Sequence, residues 1–346
     1  METKVSPRTA RLKAELLAGG AVMIPRDFRF PFLPSRSTAG PGAGSTSVVF
    51  SFGGTRAKKA ISRDKGEFEL TEDGDGLSIR RDNKQMIKDV VLIPTLLHAP
   101  YQAFVNIESR CIYDCKFCNS PRLLPNVTRN LNDDKIMQMI LEASEKEGFE
   151  SVAITSAVFE SPTATVQRMA GLVQRVRQFL PRTPIGVEPF ATRPDEIDML
   201  KDAGADEIKI NMETFDRNIF EKVCAKMDFD LILHAINHSC EVFGRNKVCS
   251  NIIFGLGETD ENILEGVKVL ANMGAVATLR ALRKNEHNIS ELEKALGRLE
   301  PVTPERMLHL AKEQKKILKR HRLTPLAFKT MCHACLSCDI VPFWDV

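Results

Sequence analysis

Six short runs rich in β-branched residues recur between Ala103 and Ala281, each followed by a longer amphipathic stretch. The runs are Ala103–Glu108, Ser151–Ser156, Pro184–Pro189, Glu207–Met212, Val248–Phe254 and Ala275–Ala281. Between them lie Asp133–Glu147, Thr163–Phe179, Pro194–Ala203, Arg217–Phe243 (whole or broken) and Asp260–Met273, and Pro304–Arg320 follows the last. Parallel strands need a crossover to return, so this alternation predicts a parallel sheet or barrel. Asn132 and Thr303 stand where N-caps belong, and Gly148, Gly204 and Gly274 fit helix stops. A closed eight-unit barrel needs more chain than this.

Residues 1–95 break the pattern. A short helix, Arg8–Leu17, leads to a Gly, Pro and Ser-rich loop at Ser35–Ser45. Strand-like pieces follow at Ser47–Phe52, Arg56–Ile61, Glu67–Leu70 and Leu77–Arg80, which read as a small antiparallel β module. The loop lacks the Gly-Lys-Ser/Thr of a phosphate-binding loop and reads as a flexible surface loop rather than a substrate lid. The chain therefore divides into 1–95, a core at 96–325 and a Cys-rich tail at 326–346.

Composition narrows the classes. Of 346 residues 43% are hydrophobic and 27% charged, as in ordinary globular proteins. No apolar run approaches the ~20 residues that cross a bilayer, and Met1–Lys13 has no secretory core. The net charge of +3 is spread out rather than striped, which gives nucleic-acid binding no support. Nine cysteines in an unsecreted chain point to metal or redox chemistry, and the cytoplasm is the expected location.

Three of those cysteines, Cys111, Cys115 and Cys118, share one short loop directly after the first strand run. A [4Fe–4S] cube usually takes four thiolates, so three leave one iron open to a small molecule. A structural zinc knuckle is the alternative, but such sites usually carry four ligands and no fourth Cys or His follows nearby.

C-x3-C-x2-C with an aromatic, Phe117, before the third cysteine resembles the signature of radical S-adenosylmethionine (radical SAM) enzymes. The resemblance implies a partial (β/α)6 TIM-type barrel, a [4Fe–4S] cluster on Cys111, Cys115 and Cys118, and S-adenosylmethionine (SAM) chelated by the open iron. Lys209-Ile210-Asn211-Met212-Glu213-Thr214 resembles the segment with which biotin-synthase-like members hold the ribose, giving that role to Asn211 and Glu213. Alternation along a strand sends both side chains to one face, and a carboxylate accepts from two vicinal hydroxyls. Asn251–Thr259 resembles the family's adenine turn, implicating Gly255 and Gly257, with Glu258 at the positive end of the next helix.

Some positions depart from that family. Its Gly-Gly-Glu segment, which grips the methionine amine, reads Thr155-Ser156-Ala157, leaving Ser156 as the candidate. An arginine for the methionine carboxylate is missing from Met227–His234, and Arg280 or Lys209 are the substitutes on offer. Glu188 either contacts SAM or substrate or forms a structural ion pair. Arg280, Arg283, Asn285 and His287 are the candidates for shaping substrate specificity.

Cys332, Cys335 and Cys338 form a second run, C-x2-C-x2-C, similar to that of bacterial ferredoxins. It predicts an auxiliary iron–sulfur cluster, with zinc or a reactive thiol cluster as alternatives. Cys249, Cys224 and Cys240 are candidate fourth donors or simply small buried hydrophobes. The leading expectation is a radical SAM enzyme that abstracts a hydrogen atom from a small-molecule substrate, reduced by flavodoxin or ferredoxin. A sulfur-inserting enzyme, and a non-catalytic iron–sulfur carrier or redox sensor, are the competing readings.

Overall fold

A computed structural model describes residues 4–38, 40–74, 76–123 and 131–346. Six parallel strands form one sheet in the order of the chain. They are β8 (Gln102–Asn106), β9 (Ser151–Thr155), β10 (Ile185–Glu188), β11 (Glu207–Lys209), β12 (Val248–Phe254) and β13 (Val276–Ala281). The two outer strands, β8 and β13, do not pair with each other, so the barrel is open along one side. The crossovers are α2 (Asp133–Ser144), α3 (Pro162–Phe179), α4 (Pro194–Asp202), α5 (Arg217–Val223) with α6 (Phe229–Phe243), and α7 (Asp260–Met273). Val105, Ile154, Val187, Ile208 and Ile252 fill the core they share, the near-continuous apolar reading of strands covered on both faces.

Caps explain where these helices begin. The Asn132 side chain accepts from Lys135 N and that of Thr303 from Arg306 N. Gly274 closes α7 in the left-handed region at φ 103°, where a side chain is strained. Arg217–Phe243 breaks because Asp228 starts a fresh helix, its carboxylate accepting from Asp230 N and Leu231 N at 2.9 and 3.0 Å. The strand read as Glu207–Met212 leaves the ladder after Lys209, and Glu213 sits at φ 66°. Beyond the barrel come α8 (Ile289–Leu296), absent from the sequence reading, and α9 (Pro304–Arg320).

The N-terminal module has its own core, built on Leu16, Val22, Phe50, Phe68, Leu70 and Ile79. Here α1 (Pro7–Ala18) packs on seven strands: β1 (Val22–Met23), β2 (Ser35–Arg36), β3 (Thr46–Phe52), β4 (Thr55–Ser62), β5 (Phe68–Asp73), β6 (Gly76–Arg81) and β7 (Lys84–Ile93). A β3–β7 pairing joins distant members of this sheet. The antiparallel expectation needs one correction, since β1 runs parallel to both β4 and β5. The long β7 escaped the sequence reading because Lys84, Lys88 and Asp89 interrupt its apolar alternation, with a further break at Asp89, φ 55°.

The tail is not an appendage. It contacts β8, β10, β11 and β13 of the barrel and ends against the N-terminal module. Glu207, at the start of β11, accepts from Thr330 N at 3.0 Å, Thr330 Oγ1 at 2.6 Å and Lys329 N at 3.1 Å. Gly186 lies so close that an added Cβ would come within 2.1 Å of Thr330 Oγ1. Gln102 Nε2 donates to Met331 O at 3.0 Å, and Thr278 Oγ1 meets His333 Nε2 at 3.1 Å. A short helix, α10 (Met331–Cys335), is bracketed by left-handed residues, Met331 at φ 57° and Leu336 at φ 58°. Lys58 N, on β4, donates to Ser337 O at 2.7 Å.

Candidate active site

One cavity of about 330 Å³ opens at the carboxyl ends of the barrel strands. Each strand end supplies a wall: Asn106, Thr155, Glu188, Lys209, Asn251 and Arg280. Cys111, Cys115 and Cys118 line one side, and Cys332, Cys338 and Asp339 of the tail line another. Ser37, Thr38, Gly40, Pro41 and Gly42 of the N-terminal loop close the mouth. That loop was read as free surface. Instead, Asn106 Nδ2 donates to Thr38 O at 2.9 Å, and both Asn119 Nδ2 and Asn285 Nδ2 donate to Pro41 O at 3.0 Å. A larger cleft of about 530 Å³ lies at the opposite end of the barrel, beside Arg177 and Glu207, away from both cysteine runs.

The first cysteine loop is shaped by groups that its spacing does not reveal. Glu108 accepts from Ser109 N and Arg110 N, each at 2.9 Å, and so bends the chain out of β8. Arg122 donates to Cys115 O at 3.0 Å and Cys118 O at 2.6 Å, and pairs with Asp114 at 2.6 Å. Lys116 N donates to Val223 O at 2.9 Å, and Ser120 N points at Cys118 Sγ from 3.4 Å. Burial pushes the Cys118 thiol up to about 12, with neighbouring Cys115 adding to it, and burial also raises Cys111. Cys115 turns its thiol toward Met227 Sδ at 3.4 Å, and among the described residues no three His, Cys, Asp or Glu side chains stand at metal-holding distances. All nine cysteines are thiols. The donor set still suits an iron–sulfur cube: three soft, half-buried sulfurs lining one cavity.

Asn211 and Glu213 both line the same cavity as that loop. Strand alternation is not what brings them there, because the ladder has ended and Glu213 is left-handed. Its main chain rejoins β12 through Glu213 N to Asn251 O at 2.9 Å and Ile253 N to Glu213 O at 2.7 Å. Among the described residues no side chain pairs with the Glu213 carboxyl, and burial lifts its pKa to about 7. It is an acceptor aimed at the cavity. Glu188 resolves as an ion pair within the cavity, 2.9 Å from Lys209 and accepting from Asn211 Nδ2 at 3.0 Å. Burial alone would raise Glu188, but Lys209 and Asn211 outweigh it and hold the carboxyl below its usual range.

The remaining candidates fall as follows. Phe117 is buried beside the cavity, and its carbonyl takes Asn288 Nδ2 at 2.9 Å. Ser156 lines the cavity and donates its hydroxyl to Ala157 O at 2.6 Å. Gly255 and Gly257 lie in the turn after β12, outside the cavity lining, at φ 101° and 109°. A Cβ on Gly255 would come within 2.6 Å of Val302, so packing demands glycine there. Glu258 does not serve the next helix. Its carboxylate accepts from Gly255 N and Leu256 N, each at 2.8 Å, and from Arg306 at 2.9 Å. Arg283 lines the cavity, whereas His287 lies outside it.

In the tail, Arg280 Nη2 donates to Cys332 Sγ at 2.7 Å and Lys209 Nζ approaches it at 3.6 Å. Burial works against the Cys338 thiolate, but Arg283 and Arg280 outweigh it and lower its pKa, while burial holds Cys335 up at about 11. Cys249 has Lys209 and Cys332 as charged neighbours, whereas Cys224 sits against Cys115 and Cys240 lies near Arg245.

Residues 105–270 match the radical SAM superfamily. The chain is 27% identical over 179 residues to a biotin synthase from Thermodesulfovibrio yellowstonii, covering 49% of this chain and 54% of that one. It is 26% identical over 205 residues to a lipoyl synthase from Porphyromonas gingivalis, covering 58% and 68%. The chain spans about half the length of the biotin synthases it matches. Among solved structures, a methylornithine synthase superposes with a TM-score of 0.52 at 18% identity over 62% of each chain. The hydrogenase maturase HydG from Carboxydothermus hydrogenoformans gives 0.52 at 14% identity, over 64% of this chain and 52% of that one. At such identities these two likenesses concern the fold.

Proposed function

We propose that this chain, which carries a radical SAM domain over residues 105–270, is an enzyme that turns SAM against a small-molecule substrate. The observation that carries the reading is convergence on one cavity, which Cys111, Cys115, Cys118, Asn211 and the unpartnered Glu213 all line. Cys111, Cys115 and Cys118 would hold a [4Fe–4S] cluster. When bound, that cluster and SAM would supply reductive cleavage of SAM and hydrogen-atom abstraction from substrate. The protein's own part is placement. Asn211 and Glu213 offer an amide and a carboxylate to the ribose, and Ser156 with Thr155 offers oxygens to the methionine amine. Phe104, Phe117, Phe190 and Ile253 give the cavity apolar walls, and the latched residues Ser37, Thr38, Gly40, Pro41 and Gly42 narrow its mouth against water. An acidic one-electron donor such as flavodoxin or ferredoxin would supply the electron.

Cys332, Cys335 and Cys338 would hold a second iron–sulfur cluster, with zinc as the alternative metal. What supports it is a soft donor set surrounded by cations: Arg280, Arg283 and the buried Lys58, which has no carboxylate partner among the described residues. Because Cys332 and Cys338 open into the same cavity as the first loop, a sulfur-transferring reaction is the second reading. Among the described residues no helix is long and apolar enough to cross a membrane. Anaerobic reconstitution, reduction and chromatography for 5′-deoxyadenosine test the proposal. Wild-type protein is expected to form it and Cys111→Ala to form none; product from Cys111→Ala at the wild-type rate would refute the ligand assignment.

A further inference from the structure

We infer that Arg280 is a positioning residue that ties Cys332 to the ribose-holding Asn211, so that the tail and the SAM site bind in concert. This rests on the function proposed above. The contacts close into a ring. Arg280 Nη2 donates to Cys332 Sγ at 2.7 Å, and its Nε donates to Asn251 Oδ1 at 3.2 Å. Asn251 N donates to Asn211 Oδ1 at 3.2 Å, and Asn211 Nδ2 donates to Glu188 Oε1 at 3.0 Å. Lys209 Nζ pairs with the same Glu188 Oε1 at 2.9 Å and returns to Cys332 Sγ at 3.6 Å. The ring crosses β10, β11, β12 and β13 and takes its last member from the tail.

Two features make this more than packing. Backbone ladders already hold those four strands together, so the side-chain ring is additional to what the sheet needs. Second, Asn211 and Lys209 compete for one oxygen of Glu188, and Cys332 gives Lys209 somewhere else to donate. Remove that sulfur and Lys209 draws on Glu188 alone, while Arg280 falls back on Asp339, 3.5 Å away. Asn211 then loses its share of Glu188, and the amide that meets the ribose is no longer fixed on both sides. Lys209 and Asn251 are buried, so these bonds act where water does not replace them. A metal-bound thiolate still accepts N–H bonds, so the ring persists with the second site loaded. Coupling of this kind is reciprocal.

The test is SAM affinity by equilibrium dialysis on anaerobically reconstituted protein, for wild type, Cys332→Ala, Arg280→Gln, the double variant and Arg280→Lys. Each of the first two substitutions is expected to weaken binding roughly fivefold or more, the lower edge of typical couplings. The double variant should bind no worse than Arg280→Gln, Arg280→Lys should recover part of the loss, and iron held by the first cysteine loop should be unchanged. Wild-type affinity in both single variants, or losses that multiply in the double, would overturn the inference. Wild-type protein that takes up no SAM would overturn the function proposed above and this inference with it.

Discussion

Lys13 Nζ stands 2.7 Å from Asp345 Oδ2, and neither side chain has any solvent exposure. The same carboxylate accepts from Thr55 Oγ1 at 2.6 Å and Val341 N at 2.8 Å, and Lys13 also donates to Leu336 O at 2.8 Å. One knot therefore joins α1, β4 and the end of the tail, which fixes the cysteine run between the N-terminal module and the barrel.

Breaking that knot on one side leaves a buried charge without its partner. Lys13→Met is expected to lower unfolding free energy by about 3–5 kcal/mol, the usual cost of orphaning one member of a buried pair. Replacing both partners, Lys13→Met with Asp345→Leu, removes the orphaned charge but leaves Thr55 Oγ1 and Val341 N without their acceptor, and should recover only part of it. Urea unfolding monitors this, and a loss below about 1 kcal/mol in the single variant would mean the pair behaves like a surface one.

Glu207 pins the other end of the tail through three donors from Lys329 and Thr330. Glu207→Ala should expose residues 326–346 to limited proteolysis while leaving the barrel resistant. Cleavage at the wild-type rate would show that the tail is held mainly by its other contacts.

Glu213 sets a pH dependence. Burial lifts its pKa from 4.5 to about 7, so between those values the folded chain keeps a proton that the unfolded chain has lost. Stability from this group is present in full below the unfolded value and declines as pH rises through the folded one. Relative to wild type, Glu213→Gln should therefore become more stable as pH rises from 5 to 8. Chemical denaturation across that range checks it, and parallel curves would contradict it. SAM affinity of the wild type should improve over the same interval, as the carboxylate gains its charge.

Glu258 is a turn brace. Glu258→Ala leaves two buried amides without their acceptor, while Arg306 keeps Asp260 and the Glu258 carbonyl, and is expected to cost about 2–5 kcal/mol. Glu258→Gln keeps an acceptor oxygen and should cost less. Equal losses in the two would show that the turn needs the charge itself.

The sequence disclosed the barrel because period and punctuation agreed from Ala103 to Ala281: apolar strands buried on both faces, N-caps at Asn132 and Thr303, a left-handed stop at Gly274. Residues that act through neighbours in space stayed hidden. Arg122 reads as any basic residue after a cysteine motif, yet it holds two cysteine carbonyls. The loop at Ser35–Ser45 looks like free surface because nothing local shows that Asn106, Asn119 and Asn285, all from the barrel, will latch it. Asn211 and Glu213 both line the cavity, but a left-handed turn rather than strand pleating brings Glu213 there. The tail reads as a cysteine motif, but its path along the barrel strands depends on Gly186, Glu207 and Asp345, each uninformative alone.

Mössbauer spectroscopy of the iron-57-reconstituted protein, before and after adding SAM, tests the central claim most directly. A cube held by Cys111, Cys115 and Cys118 predicts that one iron in that cluster changes its signature when SAM arrives, and that Cys111→Ala lacks the cluster altogether. Four equivalent irons, untouched by SAM, would contradict the account.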